Sequence, residues 1–171
     1  MRDDLTEASF MRAAWVEAQT AASAGEVPVG AVVVFNNEII SKGYNRREMR
    51  QSPLAHAEIL AIKDAAASFR SWRLTDCDLY VTLEPCIMCV GAMLQARIRR
   101  LIFGCLDPKA GAAESLYRLC TDSRLNHRVS VTGGVLGAEC ATLLGDFFKS
   151  LRETKKRTRQ AERWPSPVEG A

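Results

Sequence analysis

The order of apolar runs along this chain predicts an α/β fold: a three-layer α/β/α sandwich around a mixed, roughly five-stranded sheet. Two observations carry the prediction. A β-branched run is followed, after two asparagines, by a second strand-like stretch, which reads as an antiparallel hairpin. Helix-length amphipathic segments then alternate with short β-branched runs through the second half, the pattern of helices covering a partly parallel sheet. The 171 residues suit one domain with a short tail. Composition, at 47% hydrophobic and 25% charged, excludes disordered and collagen-like classes. No apolar run approaches the ~18 residues of a membrane span.

Each element has its own local reason. From Asp4 onward, Met11, Ala14, Trp15, Ala18 and Ala22 fall on one face of a helix. Asp4 and Glu7 resemble a capping pair at its start and Gly25 a stop. Val27 to Phe35 reads as a buried strand, Asn36-Asn37 as a turn needing positive φ, and Glu38 to Tyr44 as the returning strand. Asn45 to Pro53 is polar, basic and without period, so a loop is expected, with Ser52-Pro53 starting a helix that runs to about Phe69. Leu79 to Leu83 is a strand and Pro85 opens a helix to about Arg97. Leu101 to Phe103 and Val129 to Val131 complete the strands, and Gly137 to Arg152 forms a last amphipathic helix.

The N-terminus, Met1-Arg2-Asp3-Asp4, leads into a mixed polar segment, so no signal peptide is expected. Six cysteines without one point to a reducing compartment, the cytoplasm, where thiols serve metals or catalysis. Cys77, Cys105, Cys120 and Cys140 read as buried small hydrophobes. The net charge of +3 is unevenly placed: Lys149 to Arg163 holds seven basic residues against two acidic, leaving sixteen against eighteen elsewhere. One domain over 1–152 thus carries a basic, partly disordered extension over 153–171, and a basic arm on a slightly acidic body suits a polyanionic partner.

Two motifs carry chemistry: His56-Ala57-Glu58 and Pro85-Cys86-Ile87-Met88-Cys89. Cysteines at i and i+3 share a helix face, and at a helix start the dipole favours the thiolates a metal requires. An imidazole with two thiolates is a zinc-type ligand set, and three protein ligands leave the open position of a catalytic site. Glu58 is the candidate base for a water held there. Residues i and i+2 on a regular helix diverge, so His56 and Glu58 can serve one ion only if it sits end-on to the helix. The motif therefore predicts two helix N-termini converging on one metal. A thioredoxin-like Cys86–Cys89 redox pair, or a structural zinc completed by Cys105 or Cys77, remain as alternatives.

With those residues in view, the chain resembles the zinc-dependent cytidine/adenosine deaminase superfamily. The flanking segments resemble its tRNA adenosine deaminase branch: Glu26-Val27-Pro28-Val29-Gly30-Ala31-Val32, Asn45-Arg46, Asp107 through Ala113, Asn126-His127-Arg128 and Asp146-Phe147-Phe148. The resemblance implies a cytidine deaminase-like fold, one zinc ion per subunit on His56, Cys86 and Cys89, and Glu58 as proton shuttle. It implies that Asn45 and the backbone N–H groups of Ala57 and Cys86 bind the target base. Its substrate is the wobble adenosine of a tRNA anticodon stem-loop, converted to inosine by a homodimer.

Asp107, Lys109, Phe147 and Phe148 are expected to touch RNA, with aromatics stacking bases and cations holding phosphate. At least one of Phe147 and Phe148 is expected in the core, because neighbouring residues point to different helix faces. Arg46, Arg47 and Arg50 form a second basic cluster. His127 is expected to make a local hydrogen bond, and Asp107-Pro108 to form a turn. The competing readings are a deaminase of free guanine, cytosine or cytidine, and an RNA-binding subunit with a structural zinc, for which retention of Glu58 is unexpected.

Overall fold

A computed structural model describes the backbone of residues 2–162 and the side chains of residues 7–159. The elements are α1 (Arg2–Ser23), β1 (Gly30–Phe35), β2 (Glu38–Tyr44), the single turn α2 (Arg47–Arg50), α3 (Ala57–Phe69), β3 (Asp78–Leu83), α4 (Ile87–Ala96), β4 (Arg100–Cys105), β5 (Ser130–Gly133) and α5 (Gly137–Glu162). The sheet order is β2-β1-β3-β4-β5, with β1 antiparallel to β2 and β3, and β3, β4 and β5 parallel.

Alternation along the strands makes the two faces. Ala31, Val33, Leu79, Val81, Leu101 and Phe103 pack under α3 and α4, while Val32, Val34, Tyr80 and Ile102 meet Met11 and Ala14 of α1 and Cys140 of α5. Both faces of the central strands are dry, which is why those strands read as unbroken apolar runs. The expected three-layer sandwich on a mixed five-stranded sheet is what forms.

Several boundaries move. Asp4 lies inside α1 rather than at its cap, and Glu7 instead pairs with Arg100 across the start of β4. Ala21, not Ala22, completes the fully buried row of α1. β1 starts at Gly30 instead of Val27, since Pro28 has no N–H and the Val29 amide donates to Val27 O at 2.8 Å. Gly25 at φ +76° ends the first helix region, and Asn36 and Asn37 at φ 49° and 62° make the predicted hairpin turn. Ser52-Pro53 does not start a helix: the Ser52 hydroxyl accepts from the Leu54 amide at 3.3 Å, and α3 begins only at Ala57. Arg47–Arg50, expected as loop, closes one helical turn. α5 runs past residue 152 to Glu162; the expectation of a partly disordered tail falls in part on 163–171, outside the described residues.

The last link to the site is the approach of α3 to β2. The Ser41 hydroxyl donates to Ala61 O at 2.7 Å, and Gly43 faces the backbone of Ala57 and Ala61 with no room for a β-carbon. That contact fixes the height at which the first turn of α3 meets the carboxyl end of β3.

Candidate metal centre and active site

Both metal motifs sit at helix N-termini, and in both the ligand is the capping residue. His56 caps α3 with extended backbone (φ −76°, ψ 149°) and Cys86 caps α4 likewise (φ −76°, ψ 174°). Neither side chain makes a capping hydrogen bond. The expectation that His56 lies within the first helical turns is therefore corrected: it stands just outside. That removes the i, i+2 conflict, since the imidazole leaves from extended chain while Glu58 leaves from the helix.

The ligand atoms converge. Cys86 Sγ lies 3.8 Å from His56 Nδ1 and 3.8 Å from Cys89 Sγ, and Cys89 Sγ lies 3.5 Å from His56 Nδ1. A tetrahedral zinc with ordinary bond lengths sets S···S at about 3.8 Å and S···N at roughly 3.6 Å. The three atoms thus stand at the spacing of one tetrahedral face, and the donor set fits the ion. Among the described residues they are the group able to hold a metal. Cys105 and Cys77 do not join it: Cys105 donates to Thr82 O at 3.5 Å, and burial pushes the Cys77 thiol up to about 11. Burial likewise raises Cys120 and Cys140 to about 12, as expected of core thiols.

The site's electrostatics favour a cation. The Cys89 thiol and His56 hold Cys86 near 3, as thiolate, while Cys89, as donor to it and buried, is pushed far above its ordinary value. A cation would draw off that remaining proton. His56 is raised by its hydrogen bond to Cys86. Burial raises the Glu58 carboxyl, which is 4% exposed, above the usual glutamate range. A carboxyl poised to hold or release a proton stands beside the ligands.

His56, Glu58 and Cys86 line a cavity of about 370 Å³, with Glu26, Asn45, Arg47, Glu84 and Asp107 on its walls. It opens at the carboxyl end of β3, where α/β sheets commonly place their sites. Two buried glutamates that sequence reasoning did not single out organise it. Glu26 accepts from the amides of Met49 (2.6 Å) and Glu48 (3.2 Å), and from Asn45 Nδ2 at 3.4 Å. Asn45 Nδ2 also faces Val27 O at 3.4 Å, so the amide plane is set and its carbonyl oxygen is what it presents. Glu84 accepts from the amides of Asp107, Ala113, Glu114 and Ser115 and from the Ser115 hydroxyl. Burial alone would raise Glu84, but these donors hold it below its ordinary value. The clue to both was a lone carboxylate abutting a buried strand.

The predicted RNA contacts divide. Asp107 lines the cavity, yet its carboxylate is engaged by the amides of Lys109 (2.9 Å) and Ala110 (3.2 Å), the turn role foreseen for it. Lys109 is exposed and outside the lining. Phe147 and Phe148 lie on α5, packed edge to face at 5.6 Å and also outside the lining. Neither belongs to a buried cluster, which corrects the expectation of a core role for one: α5 meets the sheet near Cys140, and by Phe147 it is only half covered. Arg47 reaches the cavity, whereas Arg46 lies over the Tyr44 ring at 4.1 Å. His127 Nε2 donates to Ile98 O at 2.8 Å, away from the metal group, as anticipated.

Comparison with known proteins agrees with this geometry. The model of the MafB19-like deaminase family matches residues 5–152. A tRNA-specific adenosine deaminase of Bacillus subtilis is 46% identical over 151 residues, covering 88% of this chain and 94% of that one. One from Haemophilus influenzae is 46% identical over 148 residues, covering 86% of each. A solved structure from work on A-to-I editing by tRNA:A34 deaminases at the wobble position superposes with a TM-score of 0.77 at 43% identity, covering 80% of this chain and 99% of that chain. A guanine deaminase from Nitrosomonas europaea shares the fold, with a TM-score of 0.71 at 24% identity over 82% of this chain and 83% of that one.

Proposed function

Because the chain belongs to the tRNA-specific adenosine deaminase family, we propose that it hydrolyses the 6-amino group of an adenosine in tRNA, at the anticodon wobble position, to give inosine and ammonia. The observation that carries the reading is Glu58, buried and raised, beside three ligand atoms at tetrahedral spacing on one cavity.

His56, Cys86 and Cys89 would hold one zinc ion per chain. When bound, the ion lowers the pKa of a water at its remaining position to about 7, so that a nucleophile exists at neutral pH. Glu58 takes one proton of the attacking water and passes it to N1 of the adenine, then takes the second from the new C6 hydroxyl and gives it to the departing amine. Water is consumed and ammonia leaves, so no other reactant is needed. The raised Glu58 pKa suits a group that must both accept and return a proton near neutrality.

Asn45 presents its carbonyl oxygen to the base, oriented by Glu26. The Ala57 N–H, at the first position of α3, has no partner within its own helix and can bind the base from the other side. Asp107, on the cavity wall, together with Lys109, Phe147 and Phe148, would contact the RNA around the base. The family resemblance adds a homodimer sharing one anticodon stem-loop, and a cytoplasmic setting. No described helix is long and apolar enough to cross a membrane.

The test is ammonia release by metal-quantified protein from an adenosine-bearing anticodon stem-loop and, separately, from free guanine, cytosine and cytidine. Release from the stem-loop alone, with one zinc per chain, is expected. Release from a free base alone would overturn the substrate while leaving the site chemistry standing.

A further inference from the structure

The basic run at the end of α5 has no part in the site, yet its spacing is regular. Lys149, Arg152, Lys156 and Arg159 follow one another at helical intervals. At ~100° per residue these four fall within an arc of about 80°. The buried Cys140 and the half-buried Leu143, Leu144 and Phe147 fall on the opposite side of the same helix. All four cations are exposed, and among the described residues none has an ion-pair partner. Elsewhere Arg12, Arg99, Arg100 and Arg124 are each matched to a carboxylate, while Arg47, Arg50, Arg118 and Arg128, among the described residues, have no ion-pair partner either; what sets α5 apart is that four such cations stand in one row.

A helix stabilised only by its own surface pairs would set acids at i±4 to these bases. Here Glu153 stands four residues after Lys149, but Arg152, Lys156 and Arg159 have no acid at that spacing, and the stripe keeps most of its charge for something outside the chain. The deaminase match ends at residue 152, and the solved relative covers 80% of this chain with 99% of its own, so Lys156 and Arg159 lie beyond the matched family region. The remaining body carries more acidic than basic residues, which would repel a polyanion without such an arm.

We propose that the Lys149–Arg152–Lys156–Arg159 stripe is a separate grip on the phosphate backbone of tRNA, holding it while the cavity works on the base. The proposal rests on the tRNA reading above. The stripe spans roughly 15 Å of helix, enough to follow several consecutive phosphates of one strand. Its contacts are to charge, not to bases, so it adds affinity without sequence preference.

The test is the salt dependence of tRNA binding by the full zinc-loaded chain. Replacing all four by Gln, a good helix former, is expected to raise KM for tRNA at least tenfold at physiological salt. The slope of log Kd against log salt should fall by about 3, from ~0.7 to 0.9 per lost cation. Turnover at saturating tRNA should be unchanged. Arg152→Lys with Arg159→Lys should bind as the parent does, because phosphate reads charge. Lys156→Gln should cost about one unit of slope and its off-stripe neighbour Arg157→Gln much less. An unchanged slope in the fourfold variant, or equal losses at 156 and 157, would overturn the stripe. Failure of the tRNA reading shows separately, as a parent protein that forms no inosine in tRNA at all.

Discussion

Two buried carboxylates in this protein are pushed in opposite directions, and the difference separates chemistry from architecture. Glu58 is stripped of water and rises, so it can carry a proton. Glu84 is as deeply buried, but its five donors hold it ionised. Removing it in Glu84→Ala strands those donors and should cost about 3 kcal/mol or more, read by denaturant unfolding. Its folded pKa is depressed, so its contribution is whole above the unfolded glutamate value of about 4.3 and is lost as pH falls through the folded value. The parent should therefore lose stability in that acid window, where Glu84→Ala changes less. Glu26 acts through Asn45. Glu26→Gln should lower kcat/KM for RNA by about tenfold with metal content unchanged, and a loss of zinc instead would mark it as merely structural. The ligands and Glu58 were legible because metal chemistry restricts residue type and spacing. Glu26 and Glu84 were not, because most of their partners are backbone amides more than twenty residues away in sequence, which leave no mark on side-chain pattern.

At the scale of elements, the type of each strand and helix could be read from alternation and periodicity, while their ends could not. Ser52-Pro53 has the chemistry of a helix start, but the loop uses Ser52 for a local turn and reserves the true N-cap for His56. Cys86 does the same for α4. A capping side chain is worth about 1 kcal/mol, and both helices forgo it to aim a ligand. Helix ends that present candidate metal ligands thus escape rules written for Ser, Thr and Asp. The placement of α3 depends on Gly43, whose added β-carbon would meet Ala57 O and sit 2.9 Å from Ala61 N. Gly43→Ala should therefore push α3 outward, costing about 1–3 kcal/mol of stability. Because His56 and Glu58 ride on that helix, zinc affinity should fall with it, measured by competition with a chromogenic chelator. Retained affinity with full stability would show that the close approach does not set the site.

On the scale of the molecule, the sheet brings together the starts of α3 and α4, which belong to separate sequence motifs thirty residues apart. The sandwich was foreseeable from the alternation of Val27 to Phe35 and of Leu79 to Leu83, whose residues now face two cores. The course of α5 was not, because its second half leaves the sheet and no core selects its residues; Phe147 and Phe148 stay partly open for that reason. A metal held between the two helix starts would also tie the layers that carry them. Chelation should lower the melting temperature, and zinc present at a thousandfold excess over its Kd should restore about 4 kcal/mol. An unmoved melting curve on removal of bound metal would deny it that role.

The most direct measurement is inosine formation in an adenosine-bearing anticodon stem-loop by zinc-quantified Glu58→Gln beside the parent. The account predicts one zinc per chain in both, and a loss of about 10²–10⁴-fold in rate for the variant, the share a positioned proton carrier supplies. A variant that keeps its zinc and works within a few-fold of the parent would contradict it, and the proton would have to travel through another group.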